Sequence, residues 1–384
     1  MTKETDEARA YLWELQAQIA DARGRRGRYA NQRRTSTLRE LVEKLPPGEQ
    51  LDAATEEALR LQQYWPPCGP EESYNTYSVI HTLADQLEKH VPNRFIRPVL
   101  GSLDTGEINA VTLLAPDARS HLVIFESQLF NFANLFSKAV AMAMPFEDSG
   151  NGMTAFSMHP DKVRRHLKHS PDAILRFADV VRAYLFEGEP SRARPYHAPH
   201  PIDAQASILR NGLELFVLGH EYGHVILDHL GESKSPRRMP GTADGELTEV
   251  TWKWKQEHDA DAVGWLLCTR VMTEKYDLAL SHAGMELFFS ACEVLERALS
   301  LLVEGRSDVL HASPTHPPIA KRRDFMRTFL QERFEVQVES AIIMGTAIQD
   351  IVDILWEPTV PHLLDLLRLG EKPDPRWTAN PTTP

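Results

Sequence analysis

Between Leu213 and Leu230 apolar residues recur at helical spacing: Leu213, Phe216, Val217, Val225, Ile226 and Leu230. A three-and-four-residue period predicts a helix over 203–230 that buries most of its surface. The same period predicts long helices over 246–273, 276–304, 317–333 and 337–356, and shorter ones over 52–64, 75–90 and 127–144. Residues 4–45 read as a charged helix ended by Pro46-Pro47, and 160–187 as a helix with a break at Pro171. Runs at Ile108–Leu114 and Ser120–Phe125 predict two strands around the polar turn Ala115–Arg119, preceded by a strand at Phe95–Leu100. Glu147–Gly152 reads as a loop, Pro190–Pro201 as a Pro/His-rich link, and the proline-bearing tail Lys372–Pro384 as disordered. The expected class is α+β, predominantly helical, with a small antiparallel sheet.

One stretch of the 203–230 helix departs from the apolar pattern. His220-Glu221-Tyr222-Gly223-His224 places two imidazoles four residues apart, on one helical face, where both can reach a single cation. Glu221 then leans toward water held by that cation, the arrangement metal-assisted hydrolysis requires. The competing reading is two core histidines satisfied by hydrogen bonds. Charged and imidazole groups inside so apolar a helix are costly unless paired or metal-bound, which favours the metal.

Catalytic zinc usually takes three protein ligands. A third His six residues on, after a turning glycine, would close one kind of site, but Leu230 and Leu227 occupy those places. The helix is therefore predicted to run on, with His229 pointing off the metal face. A better candidate is Glu257, with Asp259 or His258 as alternatives, on the next predicted helix. Asp261, four residues after Glu257, can accept the second ring N–H of a ligand histidine and fix its orientation. A solvated acidic face is the bland alternative. Ala260, Ala262, Val263, Gly264 and Trp265 argue instead for partial burial. His197 and His200, in the Pro/His-rich link, read as solvated loop residues.

These motifs resemble the gluzincin metallopeptidases, and more narrowly the group containing the CAAX prenyl endopeptidases and HtpX-like proteases. His224 is followed by a hydrophobic turn and His229. Glu257-His-Asp-Ala-Asp261 resembles that group's Glu-x-x-Ala-Asp element, and Thr315-His316-Pro317-Pro318 with Arg322 resembles its Thr-His-Pro-Pro stretch. The resemblance implies a zincin-like fold with one zinc per chain held by His220, His224 and Glu257. It implies Glu221 as general base and acid and Asp261 behind a ligand histidine. His316 and Arg322 would lie near the reacting atoms, steadying an oxyanion or a closing segment. A bland reading of His316-Pro-Pro is the first turn of a helix. The Asn109-Ala110 strand, its turn and the second strand also resemble the group's substrate-pairing sheet edge. Two departures are Glu126-Ser127 where a glycine is expected, and about 75 residues between the strands and the motif helix, long for a connection.

Composition narrows the setting. The 384 residues are 42% hydrophobic and 25% charged with net charge −12, ordinary for a soluble globular protein and unsuited to general nucleic-acid binding. The basic run Arg23–Arg28 is the exception, read as a solvated helix rather than an anion-binding segment. Three scattered cysteines (Cys68, Cys268, Cys292) fit neither a disulfide framework nor a cysteine zinc site. No signal peptide and no stretch of about 20 uncharged apolar residues is evident. The expectation is a soluble, cytoplasmic member of the resembled group acting on a protein or peptide substrate. Residues 1–91 would form a helical region open to partner binding or self-association, 92–370 the catalytic domain with an insertion at about 145–202, and 371–384 a tail. The alternatives are a metal-stabilised regulatory or binding module without turnover, and a hydrolase of a small amide or peptide end.

Overall fold

The computed structural model describes residues 3–30, 53–116, 119–148, 154–232, 236–238, 248–250, 254–305, 317–334 and 338–378. In chain order these give α1 (Lys3–Ala22), α2 (Ala53–Gln62), α3 (Tyr74–Leu87), β1 (Val99–Leu103), β2 (Ala110–Leu114), β3 (His121–Glu126) and α4 (Ser127–Ala143). There follow β4 (Phe146–Asp148), β5 (Thr154–Phe156), α5 (Pro160–His169), α6 (Asp172–Glu187), α7 (His200–Ile226), α8 (His229–Glu232), β6 (Pro236–Arg238) and β7 (Thr248–Val250). The chain ends with α9 (Trp254–Met272), α10 (Leu278–Glu304), α11 (Ile319–Phe334), α12 (Glu339–Arg368) and α13 (Pro375–Thr378). The protein is thus predominantly helical with small sheets, an α+β architecture.

Two compact units emerge. The first comprises Met1–Thr105, Asn109–Ser127 and His224–Thr251. Its three-stranded sheet has the order β1-β3-β2. β2 and β3 form the predicted antiparallel pair, but β1 runs parallel to β3, so the sheet is mixed rather than antiparallel. α1 covers one face of this sheet. Ala8, Leu12, Leu15 and Ile19, at helical spacing, share a core with Val99, Leu103, Val111, Leu122 and Ile124. Gly101 admits this packing, since a Cβ there would lie 2.4 Å from a Leu12 methyl. Buried Glu72 ties the preceding loop to β1, accepting hydrogen bonds from the Ser102 N–H (2.7 Å) and hydroxyl (3.0 Å). Where a glycine is expected, the buried Glu126 carboxylate accepts from Thr105 N–H at 2.9 Å, while the Ser127 hydroxyl donates to Leu103 O.

The basic run is neutralised locally. Arg25 and Arg28 both reach Asp104, at 3.0 and 2.9 Å, and Arg26 contacts Asp21 and Glu71. Only the part of the predicted 4–45 helix through Ala22 is observed, and the turn after it carries Gly24 and Gly27 at positive φ. Residues 31–52 lie outside the described residues, as do 379–384 of the predicted disordered tail, whose residues 375–378 are helical.

The second unit comprises Gly106–Ile108, Gln128–Gly223 and Trp252–Pro384. The break predicted at Pro171 is real: it caps α6, separating it from α5. Phe146–Asp148 and Thr154–Phe156 pair antiparallel, so Glu147 and Asp148 of the predicted loop are strand, while its residues 149–152 lie outside the described residues. The helix predicted over 246–273 begins only at Trp254, after strand β7. α12 continues past residue 356 through Pro358 and Pro361, because its buried face persists at Thr359 and Leu363 and the Thr359 hydroxyl donates to Leu355 O. α10 contains the one window among the described helices long and apolar enough to cross a membrane, and 72% of that window is buried within the fold.

α10 also carries a buried charge network. Glu286 receives Arg323 Nε at 3.1 Å and Arg327 Nε at 3.2 Å, with the His282 ring 3.6 Å away. Gly345 on α12 makes room for it, since a Cβ there would meet the Glu286 side chain at 2.5 Å. Burial pushes the Glu286 carboxyl up, but His282, Arg327 and Arg323 outweigh it and hold it at about 2. A depressed carboxylate stabilises the fold above its unfolded value, about 4.3, and that contribution is lost as pH falls toward the folded one. Urea midpoints of the metal-free protein should therefore drop steeply between about pH 4.3 and pH 2. Glu286→Gln should flatten that limb; parallel wild-type and variant profiles would exclude the assignment.

Candidate metal centre

Small residues let α7 and α9 touch backbone to backbone. A Cβ on Gly223 would lie 2.9 Å from Ala260 Cα, one on Gly219 3.0 Å from Gly264 O, and one on Gly264 2.8 Å from His220 N. Gly219 and Gly223 are one helical turn apart, as are Ala260 and Gly264, so the two stripes face each other. His220 follows Gly219 directly, while Glu257 and Asp261 lie about two turns and just under one turn before Gly264 on the facing helix. The close crossing is what brings imidazole and carboxylate together.

His220, His224 and Glu257 each offer one ligand atom, all within 4.8 Å of one another, and all three residues are buried. Glu257 is the convergent carboxylate, rather than either alternative. His258 instead stacks on Phe325, with ring centroids 4.3 Å apart and planes 8° from parallel. His197 and His200 are exposed and outside the cluster. Two imidazole nitrogens and a carboxylate oxygen suit a divalent cation such as zinc, with a coordination position to spare. The electrostatics agree. Burial pushes the Glu257 carboxyl up to about 7, although His220 and Arg322 draw it down. A bound cation would favour the ionised form that burial opposes.

Asp261 takes the place predicted for it. Its Oδ1 lies 2.9 Å from His220 Nδ1, which leaves Nε2 on the side of Glu257, 3.7 Å from Oε2. Burial disfavours the Asp261 carboxylate, yet Arg322 and His220 reverse this and hold its pKa far below the usual range. Arg322 grips Asp261 with two bonds, Nε to Oδ2 at 2.8 Å and Nη2 to Oδ1 at 2.6 Å. Expected to steady an oxyanion or a closing segment, Arg322 is instead committed behind His220 as the carboxylate's counter-charge. His316 lies outside the described residues. Glu221, between the two histidines on α7, is buried.

His229 is the residue the sequence reading misplaced. α7 does not run on to residue 230; it ends at Ile226, and Asp228 takes a left-handed conformation at φ 54°. Aspartate tolerates that conformation better than most residues, so the chain turns without the expected glycine. The turn swings His229 back until its Nδ1 lies 3.0 Å from His224 Nδ1. One ring donates to the other, and Nε2 becomes the His224 nitrogen a metal would take. The missed signal was the pairing of an aspartate with a histidine immediately beyond the helix.

Asp261→Asn should retain the fold but weaken zinc affinity about 10–100-fold, measured by competition with a chelating dye. Gly264→Val should lower affinity further by forcing the helices apart; full zinc content in that variant would refute the crossing as the organising contact. No protein-family model, no curated protein and no solved structure matches this chain.

Proposed function

We propose that the protein is a zinc-dependent metalloendopeptidase related to the gluzincins. The observation that carries this reading is the convergence of His220, His224 and Glu257 within 4.8 Å, with Glu221 between the two histidines on the same helix. Zinc bound there would supply a Lewis acid for the scissile carbonyl and acidify water near neutral pH. Asp261 and Arg322 orient His220, and His229 orients His224. Glu221 takes a proton from the attacking water and returns it to the leaving amine. The ordered motifs running from Asn109 to Arg322 support the same reading.

One observation favours a second reading, a metal-stabilised binding module without turnover. Glu221, His224 and Glu257 are 5%, 1% and 0% exposed, a depth more usual for a structural ion than for one that meets substrate. Zinc content does not separate the two readings, whereas turnover does.

Glu221→Gln should keep one zinc per chain and lose on the order of 10²–10⁴-fold in casein or peptide-library cleavage. Glu257→Ala should lose the zinc itself, read by metal analysis. Cleavage by Glu221→Gln at the wild-type rate would end the catalytic reading, and undiminished zinc in Glu257→Ala would end the ligand assignment.

A further inference from the structure

Among the described residues one tryptophan is exposed. Trp254 opens α9 at 54% exposure, whereas Trp265 and Trp356 are buried and Trp13, Trp65 and Trp377 are half-buried. An indole in water leaves a large apolar surface unburied, and tryptophan is enriched where proteins hold their ligands. Its place follows from the helix. Trp254 precedes Glu257 by three residues, so the two share a face, with Cβ atoms about 5–6 Å apart. Side chains on a helix lean toward its N-terminus, which directs the Glu257 carboxylate along the turn that Trp254 begins.

Trp254 also precedes His258 by four residues, and His258 begins a strip of stacked rings. Its imidazole lies on Phe325 of α11, centroids 4.3 Å apart and planes 8° from parallel, and Phe325 lies on Phe329 at 6.2 Å and 17°. All three are half-buried, so each keeps part of its surface open. α11 is fixed against α9 by the two bonds from Arg322 to Asp261, and both helices belong to the second unit, as do Glu257 and His220. The strip is therefore ordered before any ligand arrives, which lowers the entropy cost of binding. Its sequence neighbours carry both signs, Lys255 against Asp259 and Asp324, so ring surface rather than net charge distinguishes it.

We propose that Trp254, with the stacked His258 and Phe325, forms a substrate subsite beside the metal centre and takes an aromatic side chain of the peptide. The proposal rests on the peptidase reading above. A flat ring lying against an indole or phenyl face gains attraction beyond the area it buries, which a branched aliphatic side chain of similar size lacks. The offset from Glu257 is one helical turn, about 5.4 Å, comparable to the span of one or two extended residues. A side chain lodged on Trp254 therefore belongs to a residue close to the bond being cut.

The test uses decapeptides in matched sets, each position in turn carrying Ala, Leu, Phe or Trp. Cleavage is measured with the zinc-loaded wild type, and binding with zinc-loaded Glu221→Gln. One position should prefer Phe or Trp over Leu by about threefold and over Ala by about tenfold, expressed in KM and in binding rather than in kcat. Trp254→Ala should cut the preference over Leu to less than about twofold, Trp254→Phe should restore most of it, and Phe325→Leu should weaken it. Zinc content and thermal midpoint check that each variant is folded and loaded. An aromatic preference that survives intact in Trp254→Ala would overturn the proposal. So would a lowered thermal midpoint in that variant with peptide binding unchanged, which would show the indole packing on its own chain. Cleavage with no aromatic preference at any position would keep the peptidase reading and remove the subsite. Aromatic-selective binding that Trp254→Ala abolishes, without cleavage by the wild type, would preserve the subsite and remove the peptidase reading.

Discussion

Two helix backbones in contact are the constraint on which the candidate metal centre depends. Gly219 and Gly223 on α7 meet Ala260 and Gly264 on α9 at distances that leave no space for larger side chains. Close approach fixes the azimuth of both helices, and that azimuth decides which residues face one another. With larger residues at the crossing, His220 and Glu257 would be separated by a layer of side chains. The ligand set would then exist only as a sequence pattern.

Around the crossing, charge is arranged in a chain of dependence. Arg322 stabilises Asp261, and Asp261 in turn holds His220 by Nδ1. Each link is buried, so each would be costly alone and is retained because its neighbour is present. His224 has a different support, the ring of a second histidine delivered by a turn. One ligand histidine is therefore backed by a carboxylate and the other by an imidazole. The carboxylate-backed ring is the more basic donor.

A second buried network lies on α10 and α11, where Arg323 and Arg327 converge on Glu286 beside His282. Arg322 and Arg323 are neighbours in sequence, yet one faces Asp261 and the other Glu286. Consecutive positions on a helix point about 100° apart, so α11 serves both networks with adjacent residues. The anchoring of Arg322 is thereby coupled to the packing of α11 against α10.

Much of this was legible in the sequence because it depends on local periodicity. The i, i+4 histidines, the helix around them, the antiparallel pair β2–β3 and the break at Pro171 all follow from residue spacing and backbone chemistry within a few positions. Glu257 and Asp261 could be nominated on the same grounds, but a carboxylate at helical spacing has the same pattern on a solvated face. The sequence placed Glu257 ahead of His258 and Asp259, but which of the three reaches the histidines depends on the face of α9 that meets α7. That depends on glycines whose significance appears only when two helices cross. The parallel pairing of β1, the guanidinium behind Asp261 and the return of His229 to His224 likewise join residues by turns and packing that no periodicity records. Sequence alone determined which side chains could ligate; the tertiary fold decided which of them meet, because convergence is a property of helix azimuth and chain reversal rather than of spacing.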